Sequence, residues 1–411
     1  MKVFKFGGAS VKDADGIKNV LHIVEQEPND LVVVVSAIGK TTNALERVVN
    51  ARWEHRDEDA INEYIALRQQ HQTIAQQLGL TKDFQNTLFD INPVTDIPLM
   101  PNYDEFYDAI VCQGEINSSR ILSEFLQTRG VTNQLLMMTE LLTTDDTFRE
   151  AKVDYNAARR IQDAIRQQQK HVYVTQGFIG GTKDHRPTTL GREGSDYTAA
   201  LLANFIDAES VTIWKDVNGI LNADPRLTPQ TILIPELSYD EAVELAYSGA
   251  QVIHPKSIRP VENKKIPLYV RPFTNPHAVG TVIHQTNKRV NVPVYIWRKN
   301  QILITMRAKD FSFILEESLS HIFDIIHRHR LKVSLIQSSA VTISVCVDNS
   351  RYVENAIKEL SNAFAVTYNM NLSLLTIRGT TPQILQREQD GREILLSQTT
   401  RRTARFVVKE K

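Results

Sequence analysis

The sequence predicts a large α/β domain built on a mainly parallel open sheet, followed by a smaller α+β region. Aliphatic runs such as Leu31–Val35 alternate with helical patterns up to about residue 290, which is the order of a parallel sheet covered by helices. Glycines or small polar residues follow several of these runs, as expected where strands end at a ligand-binding edge. From about residue 291 the order changes to strand, helix, strand, strand, helix, strand, which is the ferredoxin-like arrangement.

Composition and charge argue against several classes of protein. The 411 residues are 42% hydrophobic and 23% charged, with a net charge of −1 at pH 7, so we expect no nucleic-acid partner and no membrane partner. No apolar run approaches the roughly 18 residues that span a bilayer, and no signal peptide is recognisable at the N-terminus. The only two cysteines, Cys112 and Cys346, share no metal-type spacing. These features predict a cytoplasmic protein without disulfides.

The most informative stretch is residues 175–206, which we interpret as a strand end, a glycine-rich loop and a helix. Three glycines within residues 177–181 allow close approaches of the backbone. Ser195 is predicted to cap the helix, and Arg192 stands just before it. Free amides at a helix start beside a guanidinium suit a carboxylate or a phosphate. The alternative is that the glycines only form turns and that Ser195 is only a cap.

The first predicted strand, residues 3–6, ends in a pair of glycines. Residues 7–10 are Gly-Gly-Ala-Ser, and a helix is predicted over residues 13–26. This order brings phosphates against backbone amides, although it matches neither the Walker nor the Rossmann pattern. Lys5 lies inside the strand, and we expect its ammonium to face a polar cleft rather than to reach water along an edge strand.

The remaining segments continue the alternation. The predicted elements are a strand at 31–35 with a polar loop at 36–43, two amphipathic helices within 43–80, a helical insertion ending in a loop at 81–100, a helix at 103–129, a strand at 134–138, a helix at 154–170, a strand at 210–214 with a loop to 226, a helix at 238–248, another helix after residue 256 and a strand at 266–271. Glu115 stands among small residues in its helix. It either forms a surface salt bridge or receives a substrate ammonium.

The C-terminal region is predicted to contain one complete unit and one reduced unit. Its strands are expected at 302–306, 332–337, 341–347 and 372–377, and its helices at 318–330 and 351–364. Residues 380–411 are polar with two short apolar runs, so we expect a minimal hairpin without helices there. The predicted boundaries are a first domain over residues 1–290, then units at 291–370 and 371–411.

Seven segments, in order, resemble the aspartate kinases of the amino acid kinase family. They are KFGGAS at 5–10, VVVVSA at 32–37, GEINSSR at 114–120, TQGFIG at 175–180, LGREGSDYTAALLA at 190–203, IWKDVNGILNADPR at 213–226 and SGAQVIHP at 248–255. The resemblance implies a three-layer sandwich for residues 1–290 and an ACT-type regulatory region for residues 291–411. Because ACT-type sheets often pair across chains, it also implies a homodimer and an amino-acid effector.

The resemblance further implies ATP-dependent phosphorylation of the β-carboxylate of L-aspartate to 4-phospho-L-aspartate. This is the entry step of lysine, methionine and threonine biosynthesis. Phosphoryl transfer needs positioning and charge neutralisation more than covalent chemistry. We expect ATP and Mg²⁺ as cofactors, with the ion held by the phosphates and water rather than by a cage of protein ligands.

By the same resemblance, individual residues acquire roles. Lys5 is implied as the cation for the transferring phosphoryl group, and Asp196 as the group that orients Lys5 or the metal. The implied phosphate and nucleotide contacts are Gly7, Gly8, Ser10, Lys215, Asp216, Leu221, Arg226 and Gln251. The implied aspartate contacts are Arg192 for the α-carboxylate, Glu115 for the α-ammonium, and Ser36, Thr42 and Ser195 along the same pocket.

Some positions depart from the family pattern. Ala9 stands where threonine is usual, and Gln251 where a phosphate-contacting lysine is common. Lys215 or Lys256 could supply the missing charge. Ser334 occupies a position where an acidic residue often binds an effector's amino group, so we expect no feedback inhibition by lysine of the usual kind. Alternatives to an aspartate kinase are a binding protein without catalysis and another carboxylate or carbamate kinase of the same fold.

Overall fold

Residues 1–168, 170–228, 230–250, 253–309 and 316–409 are described in the structure, a computed structural model of the chain. They divide into two compact units. The first comprises Met1–Ile220, Leu233–Ala246 and Gln251–Arg289, and the second comprises Leu221–Ile232, Tyr247–Ala250 and Val290–Lys411. Two short segments that precede residue 290 therefore belong to the second unit.

The elements before residue 290 are ten strands and eleven helices within the described ranges. The strands are β1 (Lys2–Phe6), β2 (Leu31–Val35), β3 (Asn133–Leu136), β4 (Val172–Gln176), β5 (Ile179–Gly181), β6 (Pro187–Thr189), β7 (Val211–Lys215), β8 (Glu236–Ser238), β9 (Leu268–Pro272) and β10 (Thr281–His284). The helices are α1 (Ala14–Glu25), α2 (Thr41–Trp53), α3 (Asp57–Gln77), α4 (Lys82–Asn86), α5 (Tyr103–Val111), α6 (Gln113–Thr128), α7 (Met138–Leu141), α8 (Ala157–Gln168), α9 (Gly194–Phe205), α10 (Tyr239–Ser248) and α11 (Pro255–Asn263).

Eight of these strands form one sheet in the order β3-β4-β2-β1-β7-β9-β10-β8. The pairs from β3 to β9 are parallel, and β9 pairs with β10 antiparallel. Phe6 at the end of β1 lies opposite Val35 of β2 and Trp214 of β7. The carboxyl ends of the central strands therefore meet at one edge, which is where ligands bind in open α/β sheets.

Helices cover both faces of this sheet. Phe4 and Phe6 of β1 face a core that they share with residues of α1, α2, α3, α5 and α6. Lys5 lies between them and points to the opposite face, because side chains alternate along a strand. There its ammonium meets Asp196 of α9. The predicted three-layer arrangement with a mainly parallel sheet is confirmed.

The second unit contains an antiparallel sheet. Its elements are β11 (Val294–Ala308), α12 (Glu316–Arg328), β12 (Val333–Ser338), β13 (Thr342–Asp348), α13 (Val353–Ala363), β14 (Phe364–Arg378), α14 (Pro382–Gln389), β15 (Ile394–Thr399) and β16 (Thr403–Lys409). The strand order is β12-β13-β11-β14-β16-β15. Its first four strands, with α12 and α13, form the predicted ferredoxin-like unit.

Two long strands connect the halves of this second sheet. β11 and β14 each span 15 residues, and their pairing shifts register between Arg298 and Leu303. Before the shift β11 pairs with the part of β14 that also binds β16, and after it β11 also pairs with β13. The predicted strands at 302–306 and 372–377 were therefore too short, because the polar residues around Asn300 and Asn371, both in left-handed conformations, masked the continuation.

The prediction that residues 380–411 contain no helix was wrong. α14 forms there, and the Thr381 hydroxyl caps it by accepting a hydrogen bond from Ile384 N at 3.4 Å. Pro382 occupies the first turn, where its fixed φ fits and its missing N–H costs nothing. The pair Thr381-Pro382 is a typical start of a helix. The polar composition of the segment outweighed this local signal in the prediction.

Three predictions in the first unit also needed correction. The helix expected over residues 103–129 is two helices that meet at Cys112. The glycine-rich loop contains the small hairpin of β5 and β6. Ser195 does not cap α9, because the helix already begins at Gly194 and Glu193 is its N-cap residue.

Candidate active site

The centre of the carboxyl edge is a carboxylate held between two ammonium groups. Asp196 Oδ1 lies 2.6 Å from Lys5 Nζ, and Asp196 Oδ2 lies 3.1 Å from Lys215 Nζ. The Asp196 side chain is 3% exposed and that of Lys5 is 9% exposed. The structure therefore brings together the two residues predicted to be catalytic, and it adds Lys215 as a second cation on the same carboxylate.

Close packing of the glycine-rich loop sets the position of Asp196. A Cβ on Gly177 would lie 2.5 Å from the Cβ of Ser195 and 2.8 Å from its Cα, so only glycine lets β4 approach the first turn of α9 this closely. A Cβ on Gly194 would similarly lie 2.6 Å from the Phe178 ring. Phe178 N donates to the Thr198 hydroxyl at 3.0 Å. Together these contacts seat the start of α9 at the end of β4.

The two glycines after β1 pack against the loop after β2. A Cβ on Gly8 would lie 2.7 Å from the Ala37 carbonyl oxygen, while Gly39 N donates to Gly8 O at 3.0 Å. A Cβ on Gly7 would lie 3.5 Å from Lys5 Nζ, so the ammonium lies next to this turn. Buried Ser10 closes the turn by donating its N–H to Gly7 O at 2.9 Å. The loop and the cation thus form one continuous surface suited to phosphate oxygens.

Glu115 reaches the same edge from α6. Its side chain is buried; Oε1 accepts a hydrogen bond from Ala37 N at 3.3 Å, and Oε2 has no hydrogen-bond partner among the described residues. Burial raises the pKa of this carboxyl to about 8, although Lys5 and the Ala37 amide both favour its ionised form. A buried oxygen without a partner is costly. A ligand ammonium would satisfy it.

Burial and neighbouring charges shift the pKa values of the ionisable groups of this site in different directions. Burial acts to raise the pKa of Asp196, but Lys5 and Lys215 outweigh it and hold the pKa at about 2. Burial lowers the pKa of Lys215, whereas Asp196 and Glu193 raise it, and the net result is a raised pKa. Burial likewise raises the pKa of Glu193 against the attraction of Lys215. At neutral pH, Asp196 and Lys215 are therefore both charged.

The other predicted contacts of the first unit lie in loops and in the first turns of helices. Arg192 is exposed in the loop before α9, and Asp216 is exposed just after β7. Ser36 and Thr42 are half-buried after β2 and in the first turn of α2, and Ser195 is buried in the first turn of α9. Ser36 and Asp216 follow β2 and β7, whose carboxyl ends lie at the edge where Lys5 and Asp196 meet, and Ser195 directly precedes Asp196. These positions are consistent with the predicted pocket.

Three predicted nucleotide contacts lie outside the described part of the first unit. Leu221 and Arg226 belong to the second unit. There the Arg226 guanidinium lies 2.7 Å from a carboxylate oxygen of Asp224. Gln251 falls outside the described residues.

Sequence reasoning missed two carboxylates. Glu193 adopts a left-handed conformation with φ of 53°, and its signal was a glutamate at the turn position before a helix-starting glycine. Asp108 of α5 is buried and accepts hydrogen bonds from Arg149 N, Thr189 N and the Thr189 hydroxyl at 2.7–2.9 Å. Because Thr189 ends β6 just before Gly191 and Arg192, Asp108 anchors the loop that carries Arg192. An aspartate in a helical pattern gives no local sign of such contacts.

The described residues contain neither a metal-binding cluster nor a membrane-spanning helix. Within the described ranges, no three His, Cys, Asp or Glu side chains are grouped so that they could hold a metal ion. Across those same ranges, no helix combines the length and apolar character needed to cross a membrane.

Comparisons with known proteins agree with the geometry. The model of the amino acid kinase family matches residues 1–272. The chain is 31% identical to the lysine-sensitive aspartokinase 3 of Escherichia coli (strain K12), covering 92% of this chain and 86% of that protein. It is 30% identical to the chloroplastic aspartokinase 1 of Arabidopsis thaliana, covering 92% and 70%.

A solved structure resembles the whole chain. The crystal structure of E. coli aspartokinase III in complex with aspartate and ADP, in the R-state, matches with a TM-score of 0.83 at 28% identity, covering 100% of this chain and 96% of that one. The same enzyme in complex with lysine and aspartate, in the T-state, matches with a TM-score of 0.76. On its fold, its site geometry and these similarities, the chain belongs to the amino acid kinase family, within the aspartokinases.

Proposed function

We infer that this protein phosphorylates the β-carboxylate of L-aspartate with ATP, giving 4-phospho-L-aspartate and ADP, the first step of lysine, threonine and methionine biosynthesis. The observation that carries the inference is the Lys5–Asp196–Lys215 cluster at the carboxyl edge of the sheet. A fixed pair of ammonium groups there can neutralise the charge that spreads over a transferring phosphoryl group. The related E. coli enzyme, crystallised with aspartate and ADP, supports this choice of substrates.

The chemistry requires no general base. The attacking group is a carboxylate, which is ionised at neutral pH. Asp196, with a pKa of about 2 and both oxygens engaged by lysines, cannot accept a proton in this range. We therefore assign it the role of orienting Lys5 rather than holding a metal. Lys5 neutralises the phosphoryl oxygens, while Gly7, Gly8 and Ser10 supply further donors to the phosphates.

The acceptor is proposed to bind through its two α-substituents. The Glu115 carboxylate has an oxygen ready to accept the α-ammonium. Arg192 is exposed in the loop before α9 and can pair with the α-carboxylate in a bidentate manner, which a lysine could not do. Ser36, Thr42 and Ser195 would line the space between these anchors. We propose nucleotide contacts for Lys215, Asp216, Leu221, Arg226 and Gln251 on the family resemblance.

Mg²⁺ is proposed to enter with ATP. The occupied oxygens of Asp196 fit an ion that is held mainly by phosphate oxygens and water, as Mg²⁺ commonly is in phosphotransferases. When bound, such an ion would neutralise the phosphates and fix their orientation. The residues of this chain then supply the remaining positive charge.

Regulation is proposed to differ from that of the lysine-bound relative. Within the second unit, Arg298 Nη1 donates to the Ser334 hydroxyl at 2.9 Å and lies 3.9 Å from Asp348 Oδ1. A guanidinium at this position would repel the amino group of a cationic effector. We therefore expect that lysine does not inhibit in the usual way, although an amino-acid effector and a homodimer through the ACT region remain part of the proposal.

One assay tests the activity. Purified protein with ATP, Mg²⁺ and aspartate is expected to form an acyl phosphate that hydroxylamine traps as a coloured hydroxamate, with none formed when Mg²⁺ is omitted. Product with glutamate but not with aspartate would move the protein to another member of the family. Calorimetric binding of aspartate and ATP without turnover would favour the non-catalytic alternative. Lysine, threonine and methionine added singly identify any effector.

A further inference from the structure

Lys5 and Lys215 project from neighbouring strands toward the same point. Lys5 of β1 lies opposite Ile213 of β7, and Lys215 follows Ile213 by two residues. Because side chains alternate along a strand, both lysines face the same side of the sheet. Lys215 is the outer member, with 19% of its side chain exposed against 9% for Lys5. A ligand that enters from the edge therefore meets the Lys215 ammonium as well as that of Lys5.

Glu193, in the loop just before α9, adopts an unfavourable backbone conformation and buries a carboxylate oxygen that is unpaired among the described residues. Its φ of 53° lies in the left-handed region, which favours glycine over residues with a Cβ. Although it is the N-cap residue of α9, its side chain makes no capping hydrogen bond. Its Oε2 is buried without a hydrogen-bond partner in the described part of the chain. Backbone strain of this kind often marks a functional position.

What Glu193 contributes is charge. Burial raises the pKa of the Glu193 carboxyl, and the attraction of Lys215 opposes that rise, so the two side chains are close enough to interact. In its ionised form Glu193 would add a second carboxylate charge next to the two ammonium groups. Without it, the two ammonium groups would share the single carboxylate of Asp196, and their mutual repulsion would drive the more exposed Lys215 toward water.

We infer that Lys215 is a second catalytic cation of the phosphoryl transfer, and that Glu193 is the positioning residue that keeps it beside Asp196. The inference rests on the proposed function and specifies which side chain supplies the charge missing at Gln251. Lys256, the other candidate, is exposed, with its ammonium 5.9 Å from the centre of the Tyr197 ring. Nothing comparable to the Asp196 carboxylate holds Lys256 among the described contacts.

In the chemical step, one bond to phosphorus forms as another breaks. A bond forms between a β-carboxylate oxygen of aspartate and the γ-phosphorus of ATP, while the bond from that phosphorus to the β,γ-bridging oxygen breaks and ADP leaves. No proton moves in this exchange. Lys215 acts only by its charge, which stabilises the phosphoryl oxygens most strongly during transfer. Its loss should therefore lower kcat more than it raises KM for aspartate.

Variants of the full-length protein separate these roles. We expect Lys215→Met to lower kcat about 100-fold, Lys215→Arg to keep most of the activity, and Lys256→Met, the matched control, to resemble the unmodified protein. Lys215→Thr replaces Lys215→Met if that variant does not fold. Glu193→Gln should lower kcat about tenfold in the native background and have no further effect in the Lys215→Met background. A purely structural role for Glu193 would instead lower activity in both backgrounds.

Thermal stability gives an independent readout. Glu193→Gly removes the strained conformation, so we expect a higher Tm together with a lower kcat. A kcat for Lys215→Met within threefold of the unmodified protein would overturn the inference. So would additive losses in the double variant, or a larger loss in Lys256→Met than in Lys215→Met.

A binding measurement remains informative even if aspartate is not the acceptor. By calorimetry with Mg²⁺, Lys215→Met should weaken binding of the non-hydrolysable ATP analogue AMP-PNP about tenfold more than binding of ADP, because the ammonium is assigned to the γ-phosphate. Equal effects on both nucleotides would contradict the assignment. Absence of turnover by the unmodified protein with aspartate, combined with a selective loss of AMP-PNP affinity, would instead reject only the proposed acceptor.

Discussion

Single residues decide the chemistry of the site through their surroundings. Asp196 and Glu115 are both buried carboxyls, yet Asp196 contacts two ammonium groups whereas Glu115 has an oxygen without a partner among the described residues. Their pKa values accordingly differ, at about 2 and about 8. Opposite shifts in neighbouring carboxyls indicate different roles, here orientation of a cation and reception of a ligand.

The first residue-scale prediction concerns Lys5. Lys5→Ala should lower kcat on the order of 100-fold or more, since the transferring phosphoryl group loses a fixed cation. The hydroxamate assay measures this directly. Lys2→Ala is the matched control, because Lys2 lies in the same strand but pairs with Glu27. An unchanged kcat in Lys5→Ala would remove Lys5 from the mechanism.

The second residue-scale prediction concerns Glu115 and the pH dependence of KM for aspartate. With a pKa of about 8 in the free protein, Glu115 is mostly protonated at pH 7 and becomes ionised as the pH rises through 8. An ammonium binds the ionised form, so KM for aspartate should fall as the pH increases from 6 to 8. Steady-state kinetics across this range measure the effect. Glu115→Gln should show a high KM without this slope, and a retained slope would assign the titration to another group.

At the level of elements, the critical packing contact is the one between Gly177, which follows β4, and the first turn of α9. The structure brings the start of this helix against Gly177 so closely that an added Cβ would lie 2.5 Å from the Cβ of Ser195. Asp196 follows Ser195 directly, so any shift of the helix start moves the carboxylate away from its two lysines.

Gly177→Ala should therefore reduce both stability and activity. We expect a loss of about 1–3 kcal/mol in the free energy of unfolding, as for other overpacked sites. Denaturant unfolding and kcat measured on the same preparation check this. Native stability and kcat in this variant would mean that the helix start tolerates displacement.

The contact between α3 and α2 at His71 should make the stability of the protein decrease at acidic pH. His71 of α3 is fully buried, with Nε2 3.2 Å from the Thr41 hydroxyl at the start of α2. Burial lowers its pKa from 6.5 to about 4. Between these values the unfolded chain binds more protons than the folded one, so stability falls as the pH decreases from 6.5 toward 4.

The size of this effect follows from the shift. One pKa unit corresponds to about 1.4 kcal/mol, so the contribution over that window is on the order of 3 kcal/mol. Denaturant unfolding at several pH values, compared between the native protein and His71→Gln, isolates it. The variant should lose less stability on acidification, and parallel curves would exclude His71 as the cause.

For the whole molecule, the second unit offers an edge for assembly. β16 pairs with β14 only from Leu372 onward, so the preceding part of β14 is bonded on one side, to β11, among the described strands. Tyr368 and Met370 in that part are 50% and 49% exposed. An open strand edge with apolar side chains can pair with another chain.

We therefore expect a homodimer through this edge. Light scattering after gel filtration should give about twice the chain mass of 46.7 kDa. Tyr368→Lys combined with Met370→Lys should shift the protein toward the monomer, whereas Val279→Lys, at a position that is 76% exposed in the first unit, should not. A monomeric native protein would rule out this assembly.

The sequence by itself determined the family, the order of most strands and helices, and the residue types of the site, because periodicity, glycine turns and short motifs are local properties of a chain. It failed locally where two signals competed, as at Thr381 and Pro382 in a polar segment, or where Ser195 looked like a cap although Glu193 already stands at the helix start.

Only the tertiary structure decided which charges meet. Lys5, Asp196 and Lys215 come from β1, α9 and β7. The parallel register of the two strands, together with the position of the first turn of α9, brings all three together. The buried oxygens of Glu115 and Glu193 were equally invisible in the sequence. The reason is physical: a charge is stabilised or left without a partner by neighbours in space, and those neighbours are distant along the chain.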